Sequence, residues 1–344
     1  MLSLGFLLLS LAIGPGSPTP AADARSDTLR RFGLDPSSSL DSRVTTTPPS
    51  VLKMFEELGG PAPTPHALTP EEKQQLAEAL AALSPLQRRV LGQRLRSLSF
   101  LDGMPNTALT STVNPDGAYK LFDVTIRAGV FRQTVSEWLT EKERGCYDDS
   151  ASPLSISIEA GSKPAIVYAL LHEATHVVDS SLHVTPAPAA GGTTPAAPEP
   201  TAFTRGVWVD AATPESRYRD PLLVSACFRP GGKVRPIADA PAVYGALART
   251  PFPSLYGSRN WYDDLAEFVA LYELTQTLGQ PYRIVIRRGA ETIFTDEPMK
   301  SSLVLGRAAS VKELLTTPSP RGQGGTSPAP PPSPEDVAPR TIPP

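Results

Sequence analysis

The sequence predicts a mixed α+β fold for one folded unit over residues 69–315. Short stretches in which apolar and polar residues alternate are typical of strands, and they are interspersed with longer stretches in which apolar residues recur every three or four positions, as in helices. With 344 residues and a hydrophobic content of 40%, the chain can bury one sizeable core. We therefore expect several helices packed against a small mixed sheet.

The predicted elements begin with a helical hairpin. Capping boxes at Thr69 and Ser84, each followed by proline at the first helical position, start helices over 70–82 and 85–97. After the hairpin we expect strands at 108–113 and 119–126, a helix at 133–144, a strand at 154–158, an apolar helix that begins after residue 164, a helix at 260–278, strands at 282–288 and 291–295, and a last helix at 302–315.

Proline marks the parts of the chain that we expect to lie outside this core. The chain has 39 prolines, and they concentrate in three segments that are also rich in Ser, Thr, Ala or Gly. Such compositions do not supply enough apolar surface for a packed core. The sequence therefore predicts a disordered linker over 25–68 with a possible short helix at 51–58, a low-complexity insert within the domain over 184–201, and a disordered tail over 316–344.

Residues 1–24 have the features of a secretory signal peptide, although no Lys or Arg precedes the apolar stretch. That stretch is too short to anchor the chain in a bilayer, and Ala22-Asp23-Ala24 offers a cleavage site of the A-x-A type. We expect an extracytoplasmic protein, secreted or periplasmic, without stable membrane insertion after the signal is removed. After export Cys146 and Cys227 would be free to pair, and the sequence leaves open whether they do.

The overall charge argues against one class of partner. A net charge of -3 and a pI near 5.9 give no basic surface field, so nucleic acid is not an expected partner. The oligomeric state cannot be inferred from the sequence.

The apolar helix after residue 164 carries the pattern His-Glu-x-x-His. Residues four apart share one face of a helix, so His172 and His176 can bind one metal ion while Glu173 reaches a water molecule on that metal. Three of the four histidines in the chain fall within residues 172–183. We expect one zinc ion per chain, with Glu173 as a general base.

Catalytic zinc needs a third protein ligand and an open fourth position. His183 is a weak candidate, because the three-histidine pattern HExxHxxGxxH would require histidine at Leu182 and glycine at Asp179. Asp263 and Glu267 are stronger candidates. They share one face of the helix at 260–278, so one carboxylate can bind the metal while the other orients the first set of ligands.

These residues resemble the gluzincin peptidases, whose third ligand is a carboxylate on a helix downstream of HExxH. Locally, Tyr-Gly-Ser-Arg-Asn-Trp-Tyr-Asp-Asp-Leu-Ala-Glu-Phe over 256–268 is similar to the tyrosine-glycine segment and acidic helix of the lethal-factor type of toxin protease. His-Glu-Ala-Thr-His-Val-Val-Asp over 172–179 is similar to that family's motif. The likeness covers about forty residues in two patches. It implies a zincin-like metallopeptidase domain, in which the HExxH helix packs on a small mixed sheet and a second helix bears a ligand.

The resemblance also implies roles for single residues. It assigns the ligand position to Asp263, where the family has Glu, and the second acid to Glu267. Because the aspartate side chain is one methylene shorter and needs a closer helix, Glu267 stays open as the alternative ligand. Tyr256 is the expected hydrogen-bond donor to the developing oxyanion, with Tyr262 as a weaker substitute. Asp179 is expected to orient a ligand or to end the helix.

Three hypotheses of function follow. The leading one is an exported zinc-dependent endopeptidase that cleaves proteins or peptides. In zinc peptidases an edge strand lies beside the metal and pairs with the extended substrate, and the sequence leaves open whether the strand at 154–158 is that edge. The second hypothesis is a catalytically silent zincin-fold protein that binds protein or cell-wall partners, and the third is a buried structural histidine pair without metal. The intact Glu173 and the acidic pair favour the first.

Overall fold

The computed structural model describes residues 20–57, 61–150, 152–187 and 199–316. Most of the predicted signal peptide, the middle of the predicted insert and nearly all of the predicted tail lie outside the described residues, namely 1–19, 188–198 and 317–344.

Helices account for most of the described regular structure. In chain order they are α1 (Pro20–Arg31), α2 (Pro49–Glu57), α3 (Pro70–Ala82), α4 (Pro85–Arg94), α5 (Val135–Arg144), α6 (Ala165–Leu182), α7 (Pro221–Val224), α8 (Ala240–Leu247), α9 (Trp261–Tyr272), α10 (Ser302–Leu305) and α11 (Ala308–Thr316). None of the described helices has the length and apolar character needed to cross a bilayer.

The strands form three small sheets. In chain order they are β1 (Thr64–Pro65), β2 (Leu95–Asp102), β3 (Ala108–Thr112), β4 (Phe122–Arg127), β5 (Tyr147–Asp148), β6 (Leu154–Glu159), β7 (Arg235–Pro236), β8 (Arg283–Arg288) and β9 (Glu291–Asp296). The sheet orders are β1-β2-β4-β3, β5-β7 and β6-β8-β9. The protein is therefore a mixed α+β structure with small sheets, as the sequence predicts.

The four-stranded sheet is mixed in direction. Its central strands β2 and β4 are parallel and almost entirely buried, whereas β3 pairs antiparallel with β4 and forms one edge. Strand β2 was not expected, because the sequence predicts a helix as far as residue 97. The helix α4 ends at Arg94 instead, since the alternating residues that follow pair with β4, and the buried Ser97 hydroxyl bonds Asp123 at 2.6 Å.

Helix α6 lies in the centre of the molecule. Nearly every residue from Ala165 to Val178 is buried, because α6 is covered by α3, α4 and α9 and also contacts β3 and β4. The capping boxes predicted at Thr69 and Ser84 are both formed, and they start α3 and α4 at the predicted residues. The side-by-side packing of α6 and α9 brings the two candidate ligand helices together.

The C-terminal elements differ from the prediction in two places. The predicted helix over 260–278 is α-helical only to Tyr272 and continues as one π-helical segment, Glu273–Thr277. The predicted last helix over 302–315 is divided into α10 and α11 at Gly306 and Arg307. The Arg307 guanidinium turns inward at this break and pairs with the buried carboxylate of Asp264.

The segment over 25–68, for which the sequence predicts a disordered linker, contains packed structure where it is described. Helix α2 buries Val51 and Phe55 against Leu101 and Met104. The buried Arg43 donates from Nη1 to the carbonyl of Leu95 at 2.9 Å. Single apolar and basic side chains of this segment thus pack against the folded unit. Composition alone does not reveal such contacts.

Cys146 and Cys227 form a disulfide with their Cα atoms 5.4 Å apart. The bond ties the residues after α5 to the loop that carries Phe228. It resolves the pairing that the sequence left open.

Candidate metal centre

Three side chains from two helices converge on one point. The Nε2 atoms of His172 and His176 lie 3.1 Å apart, one helical turn from each other on α6. From the neighbouring helix α9, Oδ1 of Asp263 lies 3.8 Å from Nε2 of His172 and 3.7 Å from Nε2 of His176. The two nitrogens and this oxygen therefore form a nearly equilateral triangle.

The size of this triangle suits zinc. Bonds of 2.0–2.1 Å at tetrahedral angles place ligand atoms about 3.4 Å apart. The observed separations of 3.1, 3.7 and 3.8 Å lie on both sides of that value. Three protein ligands would also leave a fourth position for water or substrate. The donor set therefore fits a metal ion of the size of zinc.

Asp263 is positioned by the residues that precede it. Asn260 caps α9 by accepting from the backbone N–H of Asp263 at 2.8 Å, and its side-chain amide donates to Oδ2 of Asp263 at 2.6 Å. Nε of Arg259 lies 3.3 Å from the same oxygen. Because Oδ2 is occupied in this way, Oδ1 is the oxygen that faces the histidines.

The charge states favour metal binding by the carboxylate. Burial opposes ionisation of Asp263, but the neighbouring imidazoles of His172 and His176 outweigh it and lower its pKa to about 2. Burial and the neighbouring His172 lower the pKa of His176. At neutral pH Asp263 is thus an anion, as a carboxylate ligand must be, whereas His172 would have to lose a proton to bind a metal.

Glu267 lies behind His172. Its Oε1 is 3.3 Å from Nδ1 of His172, which is the ring nitrogen opposite the metal-facing one. This distance is that of an ion pair, and the two atoms do not form a hydrogen bond. Lys142, Tyr168 and Ser254 also contact this carboxylate, with Nζ of Lys142 at 3.3 Å and Oγ of Ser254 at 2.6 Å. Glu267 therefore lies where it can orient His172, while Asp263 faces the metal position.

The charges in this cluster outweigh the effect of burial on the pKa values of Glu267 and His172. Although burial opposes both changes, Lys142 and His172 lower the pKa of Glu267, and the carboxylates of Asp263 and Glu267 raise the pKa of His172 to about 9. Metal binding at Nε2 would release any proton held there, while the proton at Nδ1 can remain directed at Glu267.

Glu173 lies close to the two histidines of α6. Ligand atoms of His172, Glu173 and His176 all lie within 4.8 Å of one another. The hydroxyl of Thr110 on β3 donates to Oε2 of Glu173 at 2.6 Å. This bond fixes one oxygen of the carboxylate and leaves the other available for proton transfer.

The strand beside the candidate site is β3 and not the predicted strand at 154–158. Strand β6, which corresponds to 154–158, pairs with β8 in a separate sheet. β3 is the edge of the four-stranded sheet, and Thr110 at its centre touches Glu173. Strand β6 directly precedes α6 in the sequence, but in the fold β3 and not β6 lies beside the HExxH motif.

A cleft of about 510 Å³ opens next to the triangle. Its walls include Ala108 from β3, Lys142 from α5, His172 and Glu173 from α6, and Tyr256. The cleft is large enough for one side chain with the backbone on either side of it. It is therefore the candidate substrate site.

Tyr256 lines this cleft, and its ring centroid lies 6.1 Å from that of His172. Its hydroxyl oxygen accepts from Nη1 of Arg259 at 3.0 Å, so its own proton remains free for another partner. Burial, followed by the charge of Asp263, raises its pKa and keeps it protonated. Tyr262, the weaker candidate, packs edge-on against Trp261 and is not among the cleft residues.

Tight packing explains why a glycine follows Tyr256. A Cβ atom on Gly257 would lie 3.2 Å from Oγ of Ser254 and 3.4 Å from Cβ of Glu267. The missing side chain lets the tyrosine segment approach α9 closely. The sequence pattern Tyr-Gly thus corresponds to a tight contact beside the candidate ligand helix.

Asp179 and His183 lie at the end of α6, away from the metal position. Both oxygens of Asp179 accept from Thr185, one from the backbone N–H and one from the hydroxyl, each at 2.7 Å. Asp179 therefore fixes the exit of α6 and does not orient a ligand histidine through a hydrogen bond among the described residues. His183 caps the helix in the left-handed conformation with φ 54°, and its side chain is exposed.

Several residues of the site were not identified from the sequence. They are Thr110, Lys142, Tyr168, Ser254, Arg259 and Asn260. Two of them had a local signal: Tyr168 precedes His172 by one helical turn, and Asn260 stands at a preferred N-cap position. The others come from distant elements and have no such signal.

Comparison with known proteins gives no assignment: no protein-family model, curated protein or solved structure matches this chain.

Proposed function

We propose that this protein is an exported zinc-dependent endopeptidase of the gluzincin type, with a zincin-like catalytic domain. The observation that carries the proposal is the position of Asp263 Oδ1, 3.8 and 3.7 Å from the two Nε2 atoms of the HExxH histidines. A structural histidine pair does not need an ionised carboxylate facing both rings, nor a second carboxylate behind one of them.

His172, His176 and Asp263 would hold the zinc ion. Bound zinc would make water more acidic and polarise the scissile carbonyl. Glu173 would accept the proton of the attacking water and deliver it to the leaving amine. Its bond with Thr110 supports this role, because it holds the carboxylate beside the histidines without neutralising it.

Tyr256 would stabilise the negative charge that develops on the carbonyl oxygen. Its hydroxyl oxygen already accepts a hydrogen bond from Arg259, so its proton is available to the substrate. The edge of β3 that pairs with no other described strand would pair with the extended backbone of the substrate. Strand pairing and the cleft together would hold the peptide across Glu173.

Export is supported by two features of the chain. The apolar segment and A-x-A sequence over 1–24 are typical of a signal peptide, and Cys146 and Cys227 are paired. A disulfide is more stable in an oxidising compartment than in the cytosol. Secreted and periplasmic locations are both compatible with these features.

The experiment is cleavage-site profiling on a peptide library, with and without a zinc chelator. Wild-type protein should cleave the library, the chelator should stop cleavage, and added zinc should restore it. Glu173→Gln should keep its zinc but lose activity by at least about 100-fold, because the general base is gone.

Glu291→Gln, which changes an exposed carboxylate on β9, is the matched control and should retain full activity. Cleavage that persists in Glu173→Gln would contradict the assignment of the base. A folded, zinc-loaded wild-type protein that cleaves nothing would favour the silent binding protein.

A further inference from the structure

Two cationic side chains reach the cleft beside the candidate metal centre. Lys142 from α5 and Arg259 from the turn before α9 both line it. The lining residues include only one acid, Glu173, which belongs to the metal end of the cleft. Away from Glu173, the side chains that line the cleft therefore include two cations and no acid.

Lys142 is held in place by aromatic rings. Its Nζ lies 3.7 Å from the centroid of the Tyr256 ring, 5.2 Å from that of Trp138 and 5.7 Å from that of Phe228. Its side chain is 14% exposed. These contacts fix the ammonium group on the wall of the cleft, where it needs little reorganisation to bind an anion.

The carboxylates that neutralise these cations are shared with other donors. Glu267, the ion-pair partner of Lys142, also accepts from Tyr168 and Ser254. Oδ2 of Asp263, which faces Nε of Arg259, also accepts from Asn260. Among the described residues, no hydrogen bond or ion pair involves Nη2 of Arg259. The two cations thus retain capacity for another anion.

We infer that Lys142 and Arg259 form a substrate subsite for a carboxylate, either the side chain of an Asp or Glu residue next to the scissile bond or the C-terminal carboxylate of a peptide. Trp138 and Phe228 contact the methylene groups of the bound residue, and the cations bind its carboxylate. A basic residue is disfavoured, because it would place a third positive charge beside the other two.

Because this subsite rests on the proposed peptidase function, its test separates binding from cleavage. Peptides are built around a bond that the library profile identifies or, if no bond is cleaved, around one fixed sequence. They carry Glu, Gln or Lys at the adjacent position and amidated C-termini. A second set carries Gln and ends in a free carboxylate close to that bond. The first set reports a side-chain carboxylate, and the second reports a terminal one.

Wild-type enzyme should cleave the Glu peptide or the free-acid peptide with kcat/KM about tenfold higher than the neutral peptide, as expected for a charge-assisted contact. Lys142→Met should reduce this preference to about twofold, while Lys142→Arg should keep most of it. Arg144→Met is the control, since this residue lies on the same helix but pairs with Asp149 at 2.9 Å outside the cleft.

Binding is measured in parallel with zinc-loaded Glu173→Gln, which does not need turnover. Its affinity for the carboxylate-bearing peptide should exceed that for the neutral peptide by a similar factor. If wild type cleaves but no peptide shows a carboxylate preference, the subsite is wrong and the peptidase function stands. If no peptide is cleaved but the binding preference appears, the subsite stands and the peptidase function fails.

The wild-type ratio alone keeps the inference falsifiable if Lys142→Met does not fold. Equal rates and equal affinities for the Glu, Gln and Lys peptides overturn it. A preference that persists in a folded Lys142→Met protein removes Lys142 from the subsite.

Discussion

The carboxylate of Asp263 has two differently occupied oxygens, and this asymmetry defines the candidate metal centre. Oδ2 accepts from Asn260 and faces Arg259, whereas Oδ1 faces both histidines. No oxygen of Glu267 faces both histidines in this way. Its Oε1 faces Nδ1 of His172. At the scale of single residues, the geometry therefore separates a ligand from a residue that positions a ligand.

This separation predicts different effects for two isosteric changes. Asp263→Asn should lose most of the bound zinc, because a neutral amide is a poor zinc ligand. Glu267→Gln should weaken zinc binding by about 10–100-fold, the usual effect of losing a group that orients a ligand histidine. Zinc affinity is measured by competition with a chelator, and circular dichroism verifies folding. A larger loss in Glu267→Gln would reverse the two roles.

The residues of the motif were predictable because helical spacing is local. His172 and His176 share a face of α6 as a direct result of 3.6 residues per turn, and Glu173 lies one turn before His176. Lys142 and Thr110 were not predictable, because they reach the site through the packing of α5 and the pairing of β3. A single sequence does not reveal which distant strand or helix lies beside a motif.

At the scale of elements, a histidine clamp connects the start of α3 to the end of β2. Nδ1 of His66 lies 2.8 Å from Oδ2 of Asp102, and Nε2 lies 2.9 Å from Oε2 of Glu72. Hydrogen bonding to Glu72 outweighs burial and raises the pKa of His66 above 6.5. Burial opposes ionisation of Glu72, but the bond from His66 lowers its pKa below 4.5.

The clamp should make stability depend on pH. The contribution of His66 is complete below about pH 6.5 and is lost as pH rises through its raised pKa in the folded state. That of Glu72 is present above about pH 4.5 and is lost as pH falls through its lowered pKa. The clamp therefore stabilises most between these two values.

His66→Gln should lower stability by about 1 kcal/mol in that range and by less at alkaline pH. The measurement is Tm against pH. His183→Asn is the control, since its side chain has no ion pair among the described residues and Asn tolerates the left-handed conformation. A difference in Tm that is constant with pH would exclude the charged clamp.

The elements themselves were only partly predictable. The capped helices α3 and α4 begin where their sequences indicate, because capping is a local interaction. Strand β2 was missed, because Leu95 to Leu98 continues the apolar spacing of α4 and only pairing with β4 decides against a helix. The packing of α2 was missed for the same reason, since its partners lie on other elements.

At the scale of the molecule, a buried ion pair joins the C-terminal helices to α9. Arg307 contacts both oxygens of Asp264, at 3.0 and 2.6 Å, and Trp208 donates to the same carboxylate at 2.7 Å. Asp264 is fully buried. The pair connects α9 to the break between α10 and α11 and to the loop after the insert. These connections help to hold α9 beside α6.

Removal of one partner should be costly. Arg307→Met leaves the buried Asp264 carboxylate unpaired and should destabilise the protein by about 3–5 kcal/mol. Arg249→Met removes an exposed pair with Asp220 and should cost less than about 1 kcal/mol. Denaturant unfolding compares the two variants. Equal stabilities would show that the buried pair does not hold these elements together.

Zinc content of the purified protein tests the central claim most directly. After dialysis without chelator, the folded wild-type chain should contain about one zinc ion, and the His172→Ala variant should contain almost none. A folded wild-type protein that stays metal-free in the presence of added zinc, with both histidines intact, would contradict the metal centre and the peptidase function that depends on it.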